Sequence, residues 1–182
     1  MINHYDTTER MPTKKERDTI SRSRTLPTLF DRLTDLEPRK KHEVQRNQSI
    51  SHGTLKKLIL RDLQWLFNCT NNESLLELDN YPEVRRSTLN YGVATLAGQR
   101  MSEIEWSDIE KNLTQAIINF EPRIIPDQLV LQCISNKDDL NLHNVLSIQI
   151  HGFLWYSPYP LEFCFRSDVD LENGYFDLKD IG

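Results

Sequence analysis

Asp108, Glu121 and Asp127 are the side chains whose type and spacing come nearest to a catalytic set, the two carboxylates of a glycoside hydrolase. In that chemistry Glu121 is the proton donor and Asp127 or Asp108 its companion. A donor must hold its proton near neutral pH, which needs an apolar pocket without a cation alongside. The stretch NFEPRIIP, residues 119–126, works against this. Pro122 biases Glu121 toward extended backbone, and residues two apart in an extended chain point to the same side. Glu121 and Arg123 are thus presented together, and the guanidinium keeps the carboxylate charged. The favoured reading is a structural motif, Glu121-Pro122-Arg123, in which the arginine fork meets carbonyls or a carboxylate and the glutamate accepts backbone N–H groups. No catalytic residue is expected.

Other chemistries are excluded on spacing. SDVDLENG, residues 167–174, resembles a calcium loop, but its glycine is seventh from Asp168 where an EF-hand needs it sixth, and the twelfth residue is Lys179 in place of glutamate. His4, His42, His52, His143 and His151 show no HxxxH or HxH spacing. Cys69, Cys133 and Cys164 show no CxxC, which argues against a disulfide framework or zinc ribbon and for reduced, buried thiols. Phosphate-cradling glycine loops and the GxSxG elbow do not occur. No metal and no cofactor is expected.

These residues must be positioned by one domain, since 182 residues suffice for a real core and hardly for two. The mean hydropathy of −0.57 and a start without an apolar core, MINHYDTTERMPTKKERD, lead to the expectation of a soluble, cytoplasmic protein. Net charge is −5, unevenly spread: residues 1–50 carry 11 Lys and Arg against 8 Asp and Glu, and residues 51–182 carry 11 against 19. The second part is acidic and would repel phosphate backbones, so nucleic acid is not an expected ligand.

Residues 1–24 are polar and basic and read as a disordered arm. Residues 25–50 read as a docking segment and linker, with Leu29, Phe30, Leu33 and Leu36 at helical intervals. Residues 51–182 read as the domain proper. Leu55, Leu58, Ile59, Leu63 and Leu66 predict a helix capped by Ser51 or Thr54. YPEVRRSTLNYG predicts a short helix with Pro82 in its first turn and Gly92 beyond its end, with Arg85 and Arg86 directed to solvent. Ser107 and Glu110 have capping-box spacing ahead of Ile109, Leu113, Ala116, Ile117 and Phe120, a second helix. Beyond Pro122 the period falls to about two. RIIPDQLVLQCIS, NVLSIQIHGFLWY and PLEFCFRSDVDL read as strands, and Asn173-Gly174 as a hairpin turn. The expected class is α+β, helices followed by a small mixed or antiparallel sheet.

LPTLFDRLTD, LKKLILRDLQWLFN, YPEVRRSTLNYG and AIINFEPRI, in this order, resemble the TssE family of type VI secretion baseplate subunits, which is related to a wedge protein of contractile phage baseplates. The resemblance runs from about residue 25 to the end, although VATLAG stands where the family has an LPDL-like continuation. It implies a structural, non-enzymatic role in the baseplate wedge, with TssF-like and TssG-like subunits as partners and a TssK-like subunit as a further one. It also implies templating of the contractile sheath by strand exchange with TssB and TssC, in the cytoplasm, at a baseplate docked on the inner-membrane complex. The family's glutamate and arginine fall on Glu121 and Arg123. Leu29, Phe30, Leu33, Tyr81, Asn90 and Tyr91 are the partner-binding candidates. A peptidoglycan glycosidase carried by the same machine and a free-standing adaptor are the alternative readings.

Overall fold

The computed structural model describes residues 27–34, 38–39, 50–73, 75–100, 104–134 and 145–182, in two compact units that divide between Ile50 and Ser51. The arm expected over residues 1–24 and most of the linker lie outside the described residues. The first unit contributes a five-residue helix, α1 (Leu29–Leu33), whose N-cap Thr28 accepts the Asp31 N–H at 3.3 Å and donates to the Asp31 carboxylate at 2.6 Å.

In the second unit helices precede strands. α2 (His52–Phe67) is capped by Ser51, whose hydroxyl accepts the Thr54 N–H at 3.2 Å, and it buries Leu55, Ile59, Leu63, Leu66 and Phe67. A short α3 (Pro82–Arg85), with proline in its first turn, runs into a 3-10 turn over Thr88–Asn90. α4 (Trp106–Phe120) buries Ile109, Leu113, Ala116 and Ile117. Its start differs from expectation, because Glu105 stands at the N-cap without a side-chain bond and Ser107 lies inside the first turn. Glu110 is drawn away from capping: its carboxylate accepts the Cys133 backbone N–H at 2.8 Å. A tertiary bond has displaced a local one.

β1 (Val130–Ile134), β2 (Val145–Leu154), β3 (Leu161–Asp170) and β4 (Tyr175–Asp180) form an antiparallel meander in the order β1-β2-β3-β4. The register pairs Leu131 with Ile150, Ile150 with Phe165, Leu146 with Val169 and Val169 with Phe176, which collects the large apolar side chains on one face. Leu146, Ile148, Ile150, Leu154, Phe163, Phe165, Val169 and Phe176 are all at most 1% exposed, and α2 and α4 supply the other side of this core. The opposite face carries Gln149, His151, Glu162, Arg166, Asp177 and Lys179. That alternation is what a sheet packed on one side requires. The β3–β4 hairpin turns over four residues, 171–174, wider than the Asn-Gly pair alone suggests. Asp170 organises it, accepting the N–H groups of Glu172 and Gly174, and only Gly174, at φ 68°, takes a left-handed conformation.

Candidate functional site

Glu121 ends α4 at φ −122°, ψ 78°, outside the helical region that a following proline disfavours. Its side chain folds back to meet Arg123. The guanidinium donates to Glu121 through Nε at 2.6 Å and again through Nη2, and the Arg123 backbone N–H reaches the same carboxylate at 3.2 Å. Nη2 also donates to Asp62 on α2 at 2.5 Å, so the corner after α4 is tied to the middle of the first long helix. Asp62 in turn receives Nε and Nη2 of Arg61 at 2.8 and 2.6 Å, and the Arg61 guanidinium lies 4.7 Å from the Trp65 ring, one helical turn on. Trp65 is therefore half exposed as a platform for the cation, outside the core.

The electrostatics follow from burial. Burial by itself would make the Arg123 guanidinium give up its proton more easily; the carboxylates of Glu121 and Asp62 outweigh that and hold it more firmly cationic than a free arginine. Glu121 is 4% exposed and is occupied by the cation, so the apolar, cation-free surroundings of a proton donor are not met there. Asp108 is exposed and pairs with Lys111 at 3.5 Å, and Asp127 is exposed in the 3-10 turn Pro126–Gln128. Arg123 Nη1 is buried and has no partner among the described residues.

From this corner the chain enters the sheet. Arg123 O accepts the Trp155 N–H and Ile125 N–H donates to Phe153 O, both at 2.8 Å, so the residues after Pro122 extend the β1–β2 ladder past its named strands. The two outer edges of the sheet then receive different treatment. On β4 the outward peptide groups meet two side-chain amides, Gln64 on α2 and Asn68 at its C-cap. Asn68 accepts the Phe176 N–H at 3.0 Å and donates to Phe176 O at 2.9 Å, while Gln64 accepts the Leu178 N–H at 2.8 Å and donates to Phe176 O. Gln64 and Asn68 stand one helical turn apart, and together they stop this edge from pairing with another strand. On β1 the alternation that sends the Cys133 N–H to Glu110 also turns the peptide of Leu131 outward. The Leu131 N–H and C=O and the Cys133 C=O have no partner on that side among the described residues.

The loop between α2 and α4 is held from within. Asn90, 4% exposed, donates to the Glu73 carboxylate at 3.2 Å and to Arg85 O at 3.0 Å, and accepts the Asn72 N–H at 3.0 Å. It is a buried hub and not the surface contact that its place in the NYG stretch suggests. Tyr91 is half-buried with its ring 5.2 Å from Phe120, and burial pushes its hydroxyl to a higher pKa. Of the other partner-binding candidates Leu29, Phe30, Leu33 and Tyr81 are well exposed. Arg85 pairs with Glu73 at 2.6 Å, whereas the Arg86 side chain has no partner among the described residues.

Cys133 is half-buried, and burial together with Glu110 pushes its thiol up to about 12, far from a reactive thiolate. Asp62, Gln64 and Asn68 are the residues that reading the sequence missed. Asp62 and Gln64 lie off the apolar stripe of α2 and Asn68 at its C-cap, and the partners that give them a role lie far along the chain.

Among the described residues no group of three or more His, Cys, Asp or Glu is arranged to hold a metal ion, and no helix is long and apolar enough to cross a membrane. No curated protein and no solved structure matches the chain. Residues 54–159 match the family model described as baseplate wedge protein gp25, which is 106 of the 182 residues and takes in α2, the Asn90 loop, the Glu121–Arg123 corner and the first two strands. The chain belongs to the gp25 family of baseplate wedge proteins.

Proposed function

We propose that this protein is the TssE-like wedge subunit of a type VI secretion baseplate and templates assembly of the contractile sheath. TssF-like and TssG-like subunits are its wedge partners, a TssK-like subunit is a further neighbour, and it works in the cytoplasm at a baseplate docked on the inner-membrane complex. The observation that carries the sheath part is the asymmetry of the sheet. The β4 edge is occupied by Gln64 and Asn68, while β1 keeps outward peptide groups at Leu131 and Cys133 that an added strand from a TssB-like or TssC-like chain can pair with. Glu110 guards one N–H of that edge and is displaced when the strand arrives. Glu121, Pro122 and Arg123, with Asp62, brace the corner that leads into β1. Leu29, Phe30 and Leu33 offer an apolar anchor to a wedge partner, and Tyr81 a second contact.

The test is sheath polymerisation from purified TssB-like and TssC-like subunits on a preassembled baseplate. Cys133→Pro removes the outward N–H and leaves the bonds to β2 in place, so sheath nucleation should fall at least tenfold while the melting profile stays cooperative. Nucleation at the wild-type rate by a folded Cys133→Pro variant would reject β1 as the templating edge. The glycosidase reading finds no support in the geometry, because its proton donor is clamped by Arg123.

A further inference from the structure

A groove of about 410 Å³ lies between the loop that carries α3 and the face of α4 that bears Asn112, Gln115 and Asn119, and no residue of the sheet strands or of the Glu121–Arg123 pair lines it. It is of a size that seats a small ligand or a few side chains. Its wall on α4 is a row of amides, Asn112, Gln115 and Asn119, and Asn71 faces them from the other side. Gln115 donates to Asn119 at 2.9 Å, which leaves the Gln115 carbonyl and the Asn119 amino group open, and neither Asn71 nor Asn112 has a side-chain partner among the described residues.

Charge selects the occupant. Arg85, Arg86 and Lys111 line the groove against one carboxylate, Glu73, in a unit that carries 11 Lys and Arg against 19 Asp and Glu. Glu73 is spent on Arg85 and Asn90, and Lys111 is held by Asp108 at the longer distance of 3.5 Å. Arg86 is left uncommitted at the rim. Open side-chain amides donate to and accept from an extended backbone, and an uncommitted guanidinium takes a carboxylate. The chain's own first fifty residues, with 11 Lys and Arg against 8 Asp and Glu, have the wrong sign.

We infer that this groove docks an extended segment bearing Asp or Glu from another baseplate subunit, its backbone held by the amide row and its carboxylate by Arg86. The inference rests on the baseplate reading for the source of the segment and on the groove for its chemistry. The groove shares no residue with the sheath edge or with α1.

The test places p-benzoylphenylalanine at Asn112 in the full chain, co-expressed with the other baseplate subunits, and maps the photo-cross-linked peptide by mass spectrometry. The expected product is an Asp- or Glu-rich segment of a baseplate subunit, and cross-linking should fall at least fivefold in Arg86→Glu/Lys111→Glu and with 0.5 M salt, but not in the control Lys57→Glu on α2. A cross-link within this chain, one to a basic or apolar segment, or a yield indifferent to Arg86→Glu/Lys111→Glu overturns the inference. If instead the wild-type chain joins no baseplate complex, the baseplate reading itself falls and takes the inference with it. A chain that assembles normally and gives no cross-link defeats the groove alone.

Discussion

Arg123→Ala separates a structural lock from a decorative surface pair. In the wild-type protein the guanidinium supplies Glu121 with two side-chain bonds, and Glu121 is 4% exposed. Truncation leaves that carboxylate with the backbone N–H of residue 123 at 3.2 Å, and leaves Asp62 with Arg61. Breaking one side of a buried ion pair costs about 3–5 kcal/mol. Asp62 is 23% exposed and stays paired, so the lower end, about 3 kcal/mol, is expected. For a chain of this size that is a fall in Tm of roughly 6–12 °C. Asp62→Ala removes the bond from Arg123 and the two from Arg61; both cations keep another partner and the site is more exposed, so the cost should be about 1.5 kcal/mol. Because Asp62 and Glu121 share one cation, their double-mutant cycle should show coupling of at least about 0.5 kcal/mol. Urea denaturation followed by circular dichroism measures all three, with Arg123→Lys as the geometric control. A lysine offers a point charge in place of a fork and should recover less than half of the loss. If Arg123→Ala costs under about 1 kcal/mol with an unchanged urea slope, or Arg123→Lys is fully stable, the bracing argument is wrong.

Three further outcomes follow from the same structure. Gln64→Ala/Asn68→Ala strips the caps from β4, so it should cost about 2 kcal/mol and promote concentration-dependent association that light scattering detects; a stable, monomeric variant contradicts edge protection. Gly92→Ala should destabilise by more than about 1 kcal/mol, because Gly92 sits at φ 122° and a Cβ there would meet Cys69 O at 2.2 Å; thermal melting reads this out, and an unchanged Tm rejects it. The Cys133 thiol is raised from 9.0 to about 12 in the folded state, so the stability gained by keeping it neutral is complete below pH 9 and is lost as the pH rises toward 12. The alkaline loss should be smaller in Cys133→Ala than in wild type, and identical alkaline melting curves would show that the thiol is not held back.

Much of the fold is legible in the chain because its patterns are local. The stripe from Leu55 to Leu66 and the alternation in NVLSIQIHGFL each specify one face, and a single buried face fixes both helix orientation and strand register. The pairing of Glu121 with Arg123 follows from Pro122 and a spacing of two. What escapes such reading depends on residues distant in sequence. Ser107 and Glu110 have the spacing of a capping box, yet Glu110 serves Cys133, 23 positions on, because a sheet edge needed an acceptor. Asn90 looks like a surface turn residue and is a hub for Asn72, Glu73 and Arg85, since only a short side-chain amide offers donor and acceptor together in so small a space. Gln64 and Asn68 give no local sign that they cap a strand more than a hundred residues away.

The most direct test of the central claim is co-expression of the tagged chain with the TssF-like and TssG-like proteins of the same cell, followed by size exclusion with mass determination. The account predicts a stable complex of defined mass that Leu29→Ser/Phe30→Ser/Leu33→Ser disrupts. Elution of the wild-type chain as a lone monomer at every salt concentration would contradict it.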